Sequence, residues 1–174
     1  MAAHRWISLA RDGLRFAIIN DSKYGYSVNS NVIELNALRG TDYPATNLDF
    51  GTHTFRFAIF SDDGKSLVNT VRKGYEFNFE PVICKPGNKG ENKQYSFIGT
   101  DAGSVIIDGI KKAQDSDALI IRTYESAGRK TDASLNISFS DKISLCDLSE
   151  KPLGSAPDVL QYKPYEIISF MAEE

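Results

Sequence analysis

Histidine, cysteine and tryptophan are all scarce in this chain, and each shortage closes off a class of chemistry. Among 174 residues there are two histidines, His4 and His53, two cysteines, Cys84 and Cys146, and one tryptophan, Trp6. A zinc site needs three or four ligands converging from His, Cys, Asp or Glu. No His-x-x-x-His, Cys-x-x-Cys or related spacing occurs, so no metal site is expected within the chain. Cys84 stands beside Lys85 but lacks a histidine partner for thiol catalysis. Gly-x-Ser-x-Gly is absent, and Pro86-Gly87-Asn88-Lys89-Gly90 leads into no helical pattern, which argues against a serine elbow and a phosphate cradle. Two cysteines this far apart read as buried thiols in a reducing, cytoplasmic setting rather than as a disulfide framework.

Long apolar runs and runs of one charge are missing too. No stretch approaches the ~20 residues that span a bilayer, and the opening Met1–Trp6 has no apolar signal core. That opening is already strand-like, which leads to the expectation that the chain continues a longer polypeptide. Basic residues are scattered, in nothing longer than pairs such as Lys111-Lys112, and the net charge is -3. Nucleic acid and membrane are therefore not expected partners. What remains, 41% hydrophobic and 25% charged, is the composition of a globular domain. A chain of this length can bury roughly 70% of its unfolded surface.

The periodicity is that of strands. His53, Phe55, Phe57 and Ile59 share one face while Thr54, Arg56 and Ala58 take the other. Ala133, Leu135, Ile137 and Phe139 alternate with serine and asparagine, as in a half-buried antiparallel strand. Further strands are expected over Leu14–Asn20, Val32–Leu38, Tyr75–Ile83, Val105–Lys112, Ala118–Glu125 and Glu166–Met171. Turn chemistry separates them at Arg11-Asp12-Gly13, Ser61-Asp62-Asp63-Gly64 and Ser126-Ala127-Gly128. Helix signals are thin: Leu35–Arg39 has material for one turn, and no ten-residue stretch keeps helical spacing. The expectation is a single all-β domain over 1–174, an antiparallel β-sandwich with little helix and a mobile loop at Lys85–Gln94.

The acids fall in polar turns. Asp62-Asp63, Asp115-x-Asp117 and the set Asp141, Asp147 and Glu150 read as groups bonding local backbone N–H rather than as acid/base pairs. Asn20-Asp21-Ser22-Lys23-Tyr24-Gly25-Tyr26 is different. It follows an apolar strand, and it holds a lysine and two tyrosines where a plain turn needs neither. An aromatic face covers sugar C–H groups and an ammonium donates to hydroxyls, so Lys23 and Tyr24 are the candidate substrate-binding residues.

This segment also carries a resemblance. His4-Arg5-Trp6-Ile7-Ser8-Leu9, Gly13 and Asn20–Tyr26 resemble, in order, the start of the C-terminal β region of bacterial and archaeal family 38 α-mannosidases. Leu35–Arg39 with Tyr43-Pro44, Asp49-x-Gly51-x-His53-x-Phe55, Lys111-Lys112-Ala113, Ile121-Arg122-x-Tyr124-Glu125-x-x-Gly128 and Tyr165-Glu166-Ile167 continue it along nearly the whole chain. The resemblance implies a galactose mutarotase-like, supersandwich-type β domain of a retaining enzyme that removes terminal α-linked mannose. It places zinc and the nucleophilic Asp in a separate N-terminal α/β domain, followed by a helical bundle. Retaining hydrolysis needs two carboxyl groups ~5–5.5 Å apart, which the family supplies upstream. The chain alone is then expected to be inactive and without cofactor, partnered by the catalytic and helical domains of its enzyme and by mannosides or glycans. In eukaryotic relatives the matching stretch reads Asp-Asp-x-Arg-Gly, with its arginine reaching the sugar, and Lys23 takes that place. Arg39 and Arg122 read as scaffold, each closing an apolar strand and pairing with a carboxylate. A stand-alone carbohydrate-binding module, which needs an exposed aromatic platform, and a purely structural or assembly sandwich are the competing readings. An apolar or aromatic patch is expected near the first strand and the Tyr24/Tyr26 loop.

Overall fold

The computed structural model describes residues 1–85 and 94–173, so the loop expected over 85–94 lies, apart from its two end residues, outside them. Two compact units divide the chain, Met1–Cys84 and Lys85–Glu174.

In the first unit, Asp12 (φ 52°) and Gly13 (φ 76°) both take the left-handed conformation that a tight hairpin loop demands. They join β1 (Trp6–Arg11) to β2 (Leu14–Asn20). A second hairpin pairs β3 (Gly25–Asn29) with β4 (Val32–Asn36), and β5 (Phe57–Asp62) adds to β2 to give the sheet order β1-β2-β5. Residues Tyr75–Ile83, expected as a strand, instead begin inside α1 (Val68–Asn78) and then leave regular structure. The misreading has a physical cause. The helix buries Thr70, Val71 and Gly74, small or β-branched residues with poor helix propensity, and Leu67 at its N-cap offers no side-chain acceptor. Packing rather than propensity selects it. Gly74 is required there, because a Cβ would stand 2.7 Å from Trp6 Cδ1.

Trp6 pairs with Ile19 across the ladder, so α1 covers the face that carries the buried Ala17 and Ile19. The opposite face is open. Phe16, Phe57 and Ile59 are 50%, 57% and 75% exposed, although alternation alone would bury them.

The second unit is a β-sandwich. Its strands are β6 (Ile98–Thr100), β7 (Val105–Lys112), β8 (Leu119–Glu125), β9 (Thr131–Ala133), β10 (Leu135–Ile137), β11 (Lys142–Cys146), β12 (Pro152–Ser155), β13 (Leu160–Tyr162) and β14 (Ile167–Glu173). One layer is a five-stranded antiparallel sheet ordered β12-β11-β14-β8-β7, and the pairs β13-β9 and β10-β6 supply the other. Between them lie Val105, Ile121, Phe170 and Ala172 from the sheet and Ala133, Ile137, Leu160 and Tyr162 from the pairs. The strand expected from Ala133 to Phe139 is divided. Ala133 pairs with Leu160, whereas Leu135–Ile137 pairs with β6. The break falls at Ser134, whose N–H donates to Asp101 Oδ1 at 2.8 Å. Of the two thiols expected in the interior, Cys146 is buried and Cys84 is exposed.

Candidate functional site

The Asn20–Tyr26 loop is built from its first residue. Asn20 closes β2 and is fully buried, and its Oδ1 accepts the N–H groups of Ser22 (3.0 Å) and Lys23 (2.6 Å). Its amide Nδ2 donates to the Tyr26 hydroxyl, and burial pushes the Tyr26 phenol up from its ordinary value. Asp21 accepts the Arg56 backbone N–H and Nε, each at 3.0 Å. The Arg56 backbone N–H first, and its guanidinium after it, hold the Asp21 carboxyl below the usual carboxylate value. Arg56 also reaches Glu80 at 3.2 Å.

With the backbone held by Asn20 and Asp21, the remaining side chains divide by role. Tyr26, 1% exposed, belongs to the core, while Tyr24 is half exposed with its ring 4.7 Å from that of His4. The patch expected around both tyrosines therefore involves Tyr24 alone. Lys23 is partly buried, with Nζ 5.3 Å from the Phe55 ring centroid.

Lys23 lines a groove of about 750 Å³ together with Asn36, Leu38, Arg39, Leu48 and Asp49. Asp49 organises its far wall, since Oδ2 accepts the Gly40 N–H at 2.7 Å and its carbonyl lies 2.9 Å from His53 Nε2. Arg39 has no hydrogen bond or ion pair among the described residues, contrary to the carboxylate pairing expected of it. Arg122 also meets no carboxylate at ion-pair distance among the described residues; its Nη2 donates to the Leu148 carbonyl at 3.3 Å. A second groove, of about 700 Å³ and lined by Leu9, Leu14, Phe16, Ile18, Ile33 and Ile59, lies on the open sheet face.

Of the acids close in sequence, Asp62, Asp63 and Asp147 serve turns, whereas Glu150 reaches the distant Lys111 and the Gln114 N–H and Asp117 pairs with Lys112. Asp62 Oδ1 accepts the Gly64 N–H, Asp63 pairs with Lys65 at 3.0 Å, and Asp147 Oδ1 accepts the N–H groups of Ser149 and Lys151. Proximity in sequence did not single out Glu125. This fully buried carboxylate accepts N–H groups from Ala127, Gly128, Arg129 and Tyr165. It thereby joins the Ile121–Gly128 and Tyr165–Ile167 segments in one anchor. Among the described residues, no group of three or more His, Cys, Asp or Glu could hold a metal ion, and no helix is long and apolar enough to cross a membrane. Zinc therefore finds no ligand set in the described residues.

Among the described residues, antiparallel sheets, one short helix and a sandwich core define an all-β protein, and the groove at Lys23 offers two cations, an amide, a hydroxyl and the Asp49 carboxylate. The chain belongs to glycosyl hydrolase family 38, to its C-terminal β region. The family 38 C-terminal domain matches residues 1–47 and the family 38 C-terminal beta sandwich domain matches residues 104–170, one in each compact unit. Human alpha-mannosidase 2C1 is 29% identical over 97% of this chain. Alpha-mannosidase G of Dictyostelium discoideum is 30% identical over 98% of it. The chain spans only 17% of the length of each. An alpha-mannosidase structure from Enterococcus faecalis V583 superimposes with a TM-score of 0.83 at 16% identity, covering 99% of this chain and 21% of that one, which shows the shared fold.

Proposed function

We infer that this chain is the non-catalytic C-terminal β portion of a retaining α-mannosidase that hydrolyses terminal α-linked mannose, supporting the catalytic domain and lending Lys23 and Tyr24 to the sugar site. The observation that carries this reading is the likeness to α-mannosidases along nearly the whole chain, in both compact units. The loop geometry supports the role of Lys23, because Asn20 and Asp21 hold the backbone and leave the ammonium beside the groove. Zinc and the catalytic carboxyls belong to the catalytic domain in this reading. That domain and the helical domain are the partners proposed to cover the open Phe16/Phe57/Ile59 face, as interfaces within a chain commonly bury about 600–1,500 Å². An exposed, unpaired Cys84 suits a reducing, cytoplasmic setting. Trp6 lies against Gly74 and so makes a poor platform for a stand-alone carbohydrate-binding module.

A charge-assisted hydrogen bond contributes ~1.5–3 kcal/mol, and each ~1.4 kcal/mol is tenfold in rate. Lys23→Ala in the full-length enzyme should therefore lower kcat/KM on an aryl α-mannoside by roughly 10- to 150-fold at unchanged melting temperature. Lys23→Arg should keep most of the activity. The cation–π contact with Phe55 favours one rival, a lysine that only packs. Unchanged kinetics in Lys23→Ala would establish that rival and leave this chain as scaffold. The isolated chain should not turn over the same substrate, with or without zinc, and activity surviving repurification would overturn the non-catalytic reading.

A further inference from the structure

We propose that Arg39 is a second sugar-contacting residue, and that the groove shared by Lys23 and Arg39 is a subsite for a neutral, polyhydroxylated sugar unit. This deepens the reading of Lys23 given above and rests on it. The neighbouring charges are already engaged. Asp21 holds Arg56, Arg56 also holds Glu80, and Asp49 Oδ2 holds the Gly40 N–H. The Arg39 guanidinium, exposed on the same groove, has no such partner among the described residues. Its backbone is nonetheless held in place. The next residue, Gly40, sits in the left-handed region at φ 63° with its N–H on the Asp49 carboxylate 2.7 Å away.

The rest of the lining selects the ligand. Leu38 and Leu48 are 51% and 54% exposed and present apolar surface to sugar C–H groups. Asn36 and Thr41 both donate and accept, and Asp49 accepts, which matches hydroxyls that do the same. The Asp49 carboxylate offsets one of the two cations, so the lining carries a net charge of about +1 and matches a neutral polyol better than a doubly charged phosphate. The guanidinium fork can span two neighbouring hydroxyls, which a lysine ammonium cannot do in the same fixed geometry.

The test uses the full-length enzyme and α-linked mannobiose. Arg39→Ala should raise KM about tenfold, as expected for losing one charged donor, with the melting temperature unchanged. Arg39→Lys should recover part of the loss, and added guanidinium should partly rescue Arg39→Ala. An unchanged KM, or a loss that tracks the melting temperature and resists rescue, would overturn the proposal. If Lys23→Ala loses activity while Arg39→Ala does not, the mannosidase reading survives and Arg39 is removed. If the wild-type enzyme cleaves no α-mannoside, the mannosidase reading falls, and the subsite is then decided by titrating methyl α-mannoside into this chain by NMR. Binding weakened by Arg39→Ala would uphold it, and no binding would end it.

Discussion

Glu125→Ala is expected to remove about 3–5 kcal/mol of stability, the largest effect of any single change proposed for this chain. The carboxylate is fully buried and accepts four backbone N–H groups, from Ala127 at 2.9 Å, Gly128 at 2.7 Å, Arg129 at 3.1 Å and Tyr165 at 3.3 Å. A buried donor left without a partner costs about 1–3 kcal/mol, and water entering the alanine cavity can recover part of that total. Glu125→Gln keeps one acceptor oxygen and should lose about 1–3 kcal/mol. Burial opposes the charge, but the N–H groups of Ala127, Tyr165, Arg129 and Gly128 outweigh it and hold the carboxyl below the ordinary 4.5. A folded-state pKa below the unfolded one means that the contribution is complete above about pH 4.5 and fades as pH falls through the folded value. Urea unfolding across that range should show a flatter acid limb for Glu125→Gln than for the wild type. Identical limbs would show that Glu125 is not the titrating anchor.

Gly128→Ala is expected to cost about 2–4 kcal/mol, through two separable effects. Gly128 has φ 71°, where an L-residue is strained by roughly 1–2 kcal/mol. Its added Cβ would also stand 2.5 Å from Tyr165 Oη and 2.6 Å from Cζ, so the ring must move. Tyr165 is 65% exposed and can swing aside, which moderates the steric part. In a Tyr165→Ala background only the backbone strain should remain, so the double variant should lose less than the sum of the two single losses. Equal losses in both backgrounds would mean that ring contact contributes nothing and that glycine is needed for its backbone alone.

Both predictions concern residues that the sequence placed in recognisable segments without revealing their work. Glu125 and Gly128 are neighbours in one segment and Tyr165 opens another, yet only folding brings the tyrosine N–H to the carboxylate. Of the acids close in sequence, Asp62 and Asp147 hold turns at Gly64, Ser149 and Lys151, while Glu150 reaches the distant Lys111 and Gln114. The one signal that could have flagged Glu125 is an acid ending a strand three residues before a glycine, an anchor for a tight loop.

What the amino-acid order determined by itself was local and periodic: strands β2 and β7 with their bounds, most of β8 and β14, the Asp12-Gly13 turn, the all-β class and the family. Alternation is a property of successive residues and needs no partner to be legible. Everything settled by a distant partner was decided by the tertiary structure. α1 exists because Trp6 and the β1–β2 face accept Thr70, Val71 and Gly74. The run from Ala133 to Ile137 divides because its halves find different partner strands. Tyr26 is core and Tyr24 is surface because the Asn20 amide bonds only the former. The Phe16/Ile59 face shows how the two levels differ: alternation marks it as apolar, but whether it is covered depends on which element packs there, and α1 takes the other side. Burial and hydrogen-bond partnership are sums over residues far apart in the chain, and they become definite only when the chain has closed on itself.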